Sequence, residues 1–172
     1  HKPWSEFFPA PPARILDIGA GTGRDAAWFT SLGHSVTAVE PVDEMRTRAQ
    51  TLHPEPESMR LKDILPNLPY VRALNQSFDM ILMHGVWMHL TEDERQTGMA
   101  TLQSLLAPKG RIVMSQRHGP VPEGRRMCEI SSEETIALAA QNNLKCLYNV
   151  RAGSSQAANM ARGIAGTELV FD

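Results

Sequence analysis

The stretch ILDIGAGTGRD, residues 15–25, limits the fold more than any other part of this chain. An apolar run ends in three glycines that alternate with small residues, and a segment with helical spacing follows at once. A strand–turn–helix unit of this kind belongs to α/β sheets, whose ligands sit at the carboxyl ends of the strands where the topology switches. Gly19 and Gly21 let the backbone bend sharply and lie close to a ligand, where a side chain would clash. Gly23 lets the following helix pack tightly on the strand.

The rest of the chain repeats the alternation. RILDIG reads as a buried parallel strand, and GRDAAWFTSLG places Ala26, Ala27, Phe29 and Leu32 at helical spacing, with Gly33 at the helix end. HSVTAVEP is a second strand that ends at Glu40, and VDEMRTRAQTL a second helix that ends near Pro54. SMRLKD is a short third strand, and LPNLPYVRAL a loop with a helical turn. SFDMILMHGV is a clear strand and TEDERQTGMATLQSLLA a clear helix, with Pro108-Lys109-Gly110 as a turn into the strand RIVMSQ. Ser131-Ser132-Glu133-Glu134 has capping-box character and opens the helix EETIALAAQNN. KCLYNV and TELVF close the chain as two neighbouring strands with no helix of length between them, which predicts an antiparallel pair. The expectation is one domain over residues 1–172. Its fold is α/β and Rossmann-like, a mostly parallel seven-stranded sheet with helices on both faces and an antiparallel C-terminal strand pair.

Composition narrows the classes of partner. The net charge of −2 offers no basic field to nucleic acid or an anionic membrane. No apolar run approaches the roughly 20 residues that a membrane span needs. The leading segment HKPWSEFFPAPPAR lacks the apolar core of a signal peptide, so a cytoplasmic setting is expected. Two cysteines, Cys128 and Cys146, are too few for a disulfide framework or a zinc site. Nothing in the chain speaks to its oligomeric state.

Two carboxylates bracket the glycine turn. Glu40 ends the second strand, where an acid can accept both ribose hydroxyls of an adenosine. Asp17 stands two residues before the first glycine. The dinucleotide pattern G-x-G-x-x-G needs glycine at position 24, where this chain has Arg24; it carries G-x-G-x-G instead. A carboxylate at position 17 would repel a pyrophosphate but pair with a cationic amino-acid moiety. S-adenosylmethionine carries such a group and a sulfonium besides.

On these residues the chain resembles the class I S-adenosylmethionine-dependent methyltransferases. LDIGAGTGRDAAWFTSLGHSVTAVEPVDEM resembles their first two motifs, FDMILMHGVWMHL their fourth-strand motif and LLAPKGRIVMS their fifth-strand motif, with Lys109 in place of the more usual glycine. The resemblance runs over residues 13–116 and implies S-adenosylmethionine as cofactor. It implies that Gly19, Ala20 and Gly21 line the methionine portion with Asp17 near its amino group, and that Glu40 holds the ribose. It also implies that Met45 packs on the adenine, that Asp63 accepts from the adenine amino group flanked by Ile64, and that His84 and Gly85 lie near the methionine end. The family's N-terminal helix is represented only by WSEFF. The alternative for Asp63 is a helix cap or loop acid, and for Met45 a core position.

The acceptor is less legible. His84 follows the fourth strand directly and could serve as a general base toward an acceptor hydroxyl or amine; the alternative is a packed or solvent-facing histidine. His84 and His89 are five apart while helical metal ligands want four, and no cysteine or carboxylate completes a cluster, so no metal is expected. The loop RHGPVPEGRRM brings Arg117, His118, Arg125 and Arg126 beside the ligand edge of the sheet, which suits an anionic small molecule. The alternative is a solvated loop whose arginines pair with acids such as Glu123 and Glu129. GSSQAANMARG, residues 153–163, reads equally as a substrate contact or a connection. The leading expectation is methyl transfer to a small-molecule acceptor. The different-class alternative is a cofactor-binding sensor or partner subunit that transfers no methyl group.

Overall fold

The computed structural model of the chain describes residues 4–54, 58–121, 123–153, 161 and 163–172. Seven strands form one sheet: β1 (Arg14–Ile18), β2 (Ser35–Val39), β3 (Ser58–Leu61), β4 (Phe78–His84), β5 (Leu106–His118), β6 (Cys146–Gly153) and β7 (Ala165–Phe171). Their spatial order is β3-β2-β1-β4-β5-β7-β6. The first five strands pair in parallel, and β7 runs antiparallel to both β5 and β6. The chain steps outward from β1 through β2 to β3, then returns to the other side of β1 for β4. The switch point therefore lies between β1 and β4, above their carboxyl ends.

Among the described residues five α-helices lie between the strands: α1 (Arg24–Ser31), α2 (Asp43–Leu52), α3 (Pro69–Ala73), α4 (Glu92–Leu105) and α5 (Ser132–Gln141). The two-residue period of the strands sorts their side chains between two cores. Leu16, Ile18, Ile81, Met83 and Met114 meet Val71 of α3, Met99 and Leu102 of α4, and Ala139 of α5. Ile15, Val36, Met80, Leu82 and Val113 meet Ala26 and Phe29 of α1. Each of the larger apolar side chains buried here contributes roughly 1.5–3 kcal/mol before entropy is counted. The second core is completed by the start of the chain. A 3₁₀ turn at Ser5–Phe7 follows Trp4, which is buried and meets the Phe8 ring edge-on.

Local chemistry sets the element ends. Gly23 opens α1 at φ 79°, and Gly33 follows its last turn at φ 89°, a conformation that favours glycine. Thr91 and Glu94 form a complete capping box on α4, a signal in TEDE that the sequence reading passed over. At α5 only half of the expected box forms. The Ser131 hydroxyl accepts the Glu134 N–H, but the Glu134 carboxylate accepts from Arg95 Nη2 of α4 at 2.7 Å. That bond ties α5 to α4.

The fifth strand starts earlier than its sequence suggests. Pro108-Lys109-Gly110 lies within β5, as an irregularity where the pairing with β4 shifts register between Phe78 and Met80. Lys109 takes φ 64°, the left-handed region where glycine is the usual choice. Glycine is needed one place later, since a Cβ on Gly110 would stand 2.7 Å from the Phe78 carbonyl oxygen. Of the segment 153–163, residues 154–160 and 162 lie outside the described residues. No helix among the described residues is long and apolar enough to cross a membrane.

Candidate functional site at the carboxyl ends of β1, β2 and β4

The glycine turn is bonded internally. The N–H groups of Gly19 and Ala20 both donate to the Val39 carbonyl at the end of β2, at 2.8 and 2.9 Å. The Gly23 N–H donates to the Ala20 carbonyl, and the Gly21 N–H to Glu40 Oε2. A phosphate-cradling loop needs such amides pointed at the ligand. Here four of them are already engaged, and the carboxylates of Asp17 and Glu40 stand at the ends of the neighbouring strands.

Glu40 is held at the crevice by two backbone donors. Its Oε2 accepts from Gly21 and its Oε1 from Val42, both at 2.9 Å, and the residue is only 8% exposed. A carboxylate has about four acceptor positions, so this clamp fixes its orientation and leaves capacity for a diol. Asp17 is buried in β1 in register with Ala38 of β2 and Leu82 of β4.

The two central glycines differ in their surroundings. A Cβ on Gly19 would overlap the Cγ2 methyl of Val86, whereas a Cβ on Gly21 would meet nothing within 4 Å. Gly19 thus receives the loop after β4, and Gly21 borders open space. Beyond the ends of β2 and β3, Val42, Met45 and Ile64 expose large apolar side chains. Exposed apolar residues at the rim of a switch-point crevice suit the face of a flat heterocycle.

Asp63 does a structural job in this arrangement. Its Oδ1 accepts the Ile64 N–H, and its Oδ2 accepts the N–H groups of Tyr70 and Val71 in the first turn of α3. The carboxylate caps α3 from seven residues upstream.

His84 ends β4 and finds a partner that sequence reading did not single out. Its Nδ1 lies 2.6 Å from Oδ2 of Asp25, in the first turn of α1. Trp4 stands edge-on to the imidazole, with ring centroids 4.7 Å apart and planes at 89°. Beside them lies a cavity of about 420 Å³, walled by Phe8, Trp28, Phe29 and Leu82 together with Asp25 and His84. Asp25 reads in the sequence as an ordinary first-turn acid, and only the pairing of β1 with β4 brings it to His84. The Gly85 N–H donates to the Ser115 hydroxyl on β5 at 3.2 Å, which fixes the loop after β4.

The four cationic residues of the loop after β5 are not brought to one place. Arg117 and His118 are successive on β5 and so face opposite sides of the sheet. Arg117 Nη2 donates to the Pro120 carbonyl. His118 is bonded at both ring nitrogens, to the Ile130 carbonyl and the Thr167 hydroxyl. Arg126 pairs with Glu94 of α4 at 2.6 Å, an acid the loop reading did not propose for it, and Arg125 is exposed. That pairing holds the Arg126 guanidinium above its ordinary pKa and the Glu94 carboxyl below its own. His89 also serves the loop, its Nδ1 lying 2.7 Å from the Arg126 carbonyl oxygen. Among the described residues no three His, Cys, Asp or Glu side chains are grouped as metal ligands would be.

Comparison with known proteins speaks to the family and the fold. The family model described as a methyltransferase domain matches residues 16–114. An uncharacterized methyltransferase of Bacillus mycoides is 32% identical over 101 residues, 59% of this chain and 45% of that protein. One from Staphylococcus carnosus is 28% identical over 102 residues, again 59% of this chain and 45% of the relative. The chain thus spans about half the length of the curated relatives it matches. Among solved structures, an S-adenosylmethionine-dependent methyltransferase of Methanosarcina mazei superposes with a TM-score of 0.76 at 13% identity, over 99% of this chain and 96% of that one. The 1,6-didemethyltoxoflavin N1-methyltransferase of Burkholderia thailandensis, solved with 1,6-didemethyltoxoflavin and S-adenosylhomocysteine, superposes with a TM-score of 0.70 at 24% identity, over 93% of this chain and 70% of that one.

Proposed function

This chain belongs to the class I S-adenosylmethionine-dependent methyltransferases, and on that premise we propose that it binds S-adenosylmethionine at the β1–β4 switch point and methylates a small-molecule acceptor. The observation that carries the reading is the glycine turn. Four of its amides are engaged internally, and the carboxylates of Asp17 and Glu40 stand beside it. A pyrophosphate would find repulsion there, whereas an amino acid with a cationic ammonium and a neutral adenosine finds matching groups.

In this reading Glu40 accepts the ribose hydroxyls with the lone pairs that Gly21 and Val42 leave over. Asp17 lies on the side of the ammonium, with Gly19 and Ala20 behind the methionine chain and Gly21 open to it. Met45 and Ile64 flank the adenine. Asp63 acts through the backbone it holds, by keeping Ile64 and the start of α3 in place. His84 and Gly85 border the methionine end. When bound, S-adenosylmethionine supplies an electrophilic methyl group and leaves as S-adenosylhomocysteine. The chain's own task is alignment and exclusion of water, and proximity of this kind can lower a barrier by several kcal/mol. The cavity beside His84 falls in the size range of small-molecule pockets, which favours a small acceptor over a polymer.

Titration calorimetry with S-adenosylhomocysteine tests the reading. Glu40→Gln keeps the shape of the side chain but removes its charge and one acceptor oxygen, and should weaken binding at least tenfold, about 1.4 kcal/mol. NAD should give no heat. Equal affinity of the variant and the unmodified chain, or binding of NAD in place of S-adenosylhomocysteine, would overturn the assignment.

A further inference from the structure

We propose that Arg111 is a positioning residue for acceptor specificity. It holds the opening segment Ser5–Phe8 as one wall of the cavity beside α1, and the wall so placed selects a flat aromatic ligand. The inference deepens the methyl-transfer reading and rests on it.

The opening segment has little structure of its own. One 3₁₀ turn covers it, closed by the Phe7 N–H to the Trp4 carbonyl and the Phe8 N–H to the Ser5 carbonyl. A turn so short is not stable in isolation, so tertiary contacts must hold it. Arg111 lies on β5, in register with Met80 of β4 and 104 residues beyond Phe7. Its Nη1 donates to the Phe7 carbonyl at 3.0 Å, and its guanidinium carbon lies 5.6 Å from the centre of the Phe7 ring. A planar guanidinium makes both contacts at once, which a compact ammonium does less well. The Phe7 ring also meets Tyr148 of β6, with centroids 5.6 Å apart and planes at 62°.

Which group accepts this bond decides its consequence. The Phe7 carbonyl belongs to the peptide that joins Phe7 to Phe8, and that peptide is planar. Holding its oxygen toward β5 therefore sets the direction in which Phe8 leaves the segment. Phe7 turns to β6, whereas Phe8 turns to α1, where its ring meets Trp28 at 5.9 Å and Phe29 at 5.2 Å. The segment gives Ser5 and Phe8 to the cavity, and α1 gives Trp28 and Phe29. Trp28 is 44% exposed, so this aromatic surface continues from the cavity to solvent. Rings that meet edge to face offer a further ring both edges and faces of matching quadrupole. An aliphatic ligand of the same size gains burial there but not that complementarity.

The test uses the full chain saturated with S-adenosylhomocysteine and labelled with 5-fluorotryptophan. Its probes are benzyl alcohol and cyclohexylmethanol, alike in size but with and without an aromatic ring. The fluorine resonance of Trp28, assigned with Trp28→Phe, should shift saturably with benzyl alcohol, and cyclohexylmethanol should bind about threefold more weakly or worse. Arg111→Met should weaken benzyl alcohol about fivefold (roughly 1 kcal/mol) and leave S-adenosylhomocysteine affinity within about twofold. Arg111→Lys keeps a donor for the Phe7 carbonyl and should recover part of the loss. Phe8→Leu trims the wall with Arg111 in place, and should weaken benzyl alcohol about threefold. No shift at Trp28, or equal binding of the two alcohols, would overturn the ligand class, and neither result needs a variant to fold. Unchanged benzyl alcohol binding in Arg111→Met or Phe8→Leu would overturn the positioning role. So would joint loss of benzyl alcohol and S-adenosylhomocysteine in Arg111→Met, which would mean that Arg111 only stabilises the fold. Failure of S-adenosylhomocysteine to bind the unmodified chain would sink the cofactor reading instead, while the benzyl alcohol titration of that chain would still decide the cavity.

Discussion

Gly19 and Gly21 occupy the same turn, both with positive φ, yet substitution should separate them. Alanine at either position adopts a left-handed backbone at a cost of roughly 1–2 kcal/mol. At Gly19 the new methyl also overlaps Val86, and overpacking of this kind adds about 1–3 kcal/mol. Gly19→Ala should therefore lower the urea midpoint clearly more than Gly21→Ala, and Val86→Ala in the Gly19→Ala background should recover part of the loss. A double-mutant cycle that returned no coupling between positions 19 and 86 would refute that contact. Gly21→Ala should behave in the opposite way, with a modest stability loss but a methyl placed in open space beside Glu40. Its expected signature is a drop of tenfold or more in S-adenosylhomocysteine affinity, and calorimetry on a chain shown to be folded decides it. The pattern of three glycines was plain in the sequence, but their division of labour was not, because Val86 reaches Gly19 only after β4 has paired with β1.

Among the elements, those with strong internal signals are legible in the sequence and those set by tertiary bonds are not. β1, α1, β2, α2 and β4 were legible from alternation, helical spacing and bounding glycines, all of which act within a few residues. The start of β5 is hidden in the sequence because Pro108 and Gly110 look like a turn. The structure absorbs them by a register shift against β4 and by left-handed Lys109. Glu134 was read as half of a capping box, but its carboxylate serves Arg95 on another helix. At the site, Asp63 suits in sequence either a cofactor acid or a helix cap, and the structure adds that its carboxylate accepts three backbone N–H groups around a helix of only five residues. So short a helix has little stability of its own. Asp63→Ala should therefore cost roughly 2–4 kcal/mol, more than an ordinary exposed cap, because it leaves buried donors without their acceptor. Asp63→Asn should recover only part, having one acceptor oxygen where two are used. Urea denaturation checks both, and a loss below about 1 kcal/mol for the alanine variant would mean that water replaces the carboxylate.

At the scale of the whole molecule a mostly parallel sheet with a closing antiparallel pair is legible in the sequence, but the strand order is not, and it brings together distant pairs that sequence cannot join. His84 with Asp25 is one such pair; His34 near Asp79 is another, and it carries a prediction for stability in acid. His34 follows Gly33 at the entry to β2, is 5% exposed and packs edge-on to Phe29. Burial pushes its pKa below the ordinary value of 6.5, and the nearby Asp79 charge offsets this only in part. The folded chain therefore resists a proton that the unfolded chain accepts. Where the unfolded state binds more protons, stability falls as pH falls. The loss should begin as pH drops below about 6.5 and grow until the folded histidine itself titrates. Glu94, whose pKa is lowered chiefly by its hydrogen bond to Arg126, adds a second loss below its ordinary value of 4.5. Its side chain is partly exposed, so salt should weaken that second step. His34→Phe keeps a ring against Phe29 and removes the titration. Urea midpoints of the two chains at pH 7.5, 6.5 and 5.5 should diverge progressively in favour of the variant as the pH falls. A constant gap between them at all three pH values would show that His34 takes up its proton without hindrance in the folded state, and acid sensitivity would then have to come from other groups.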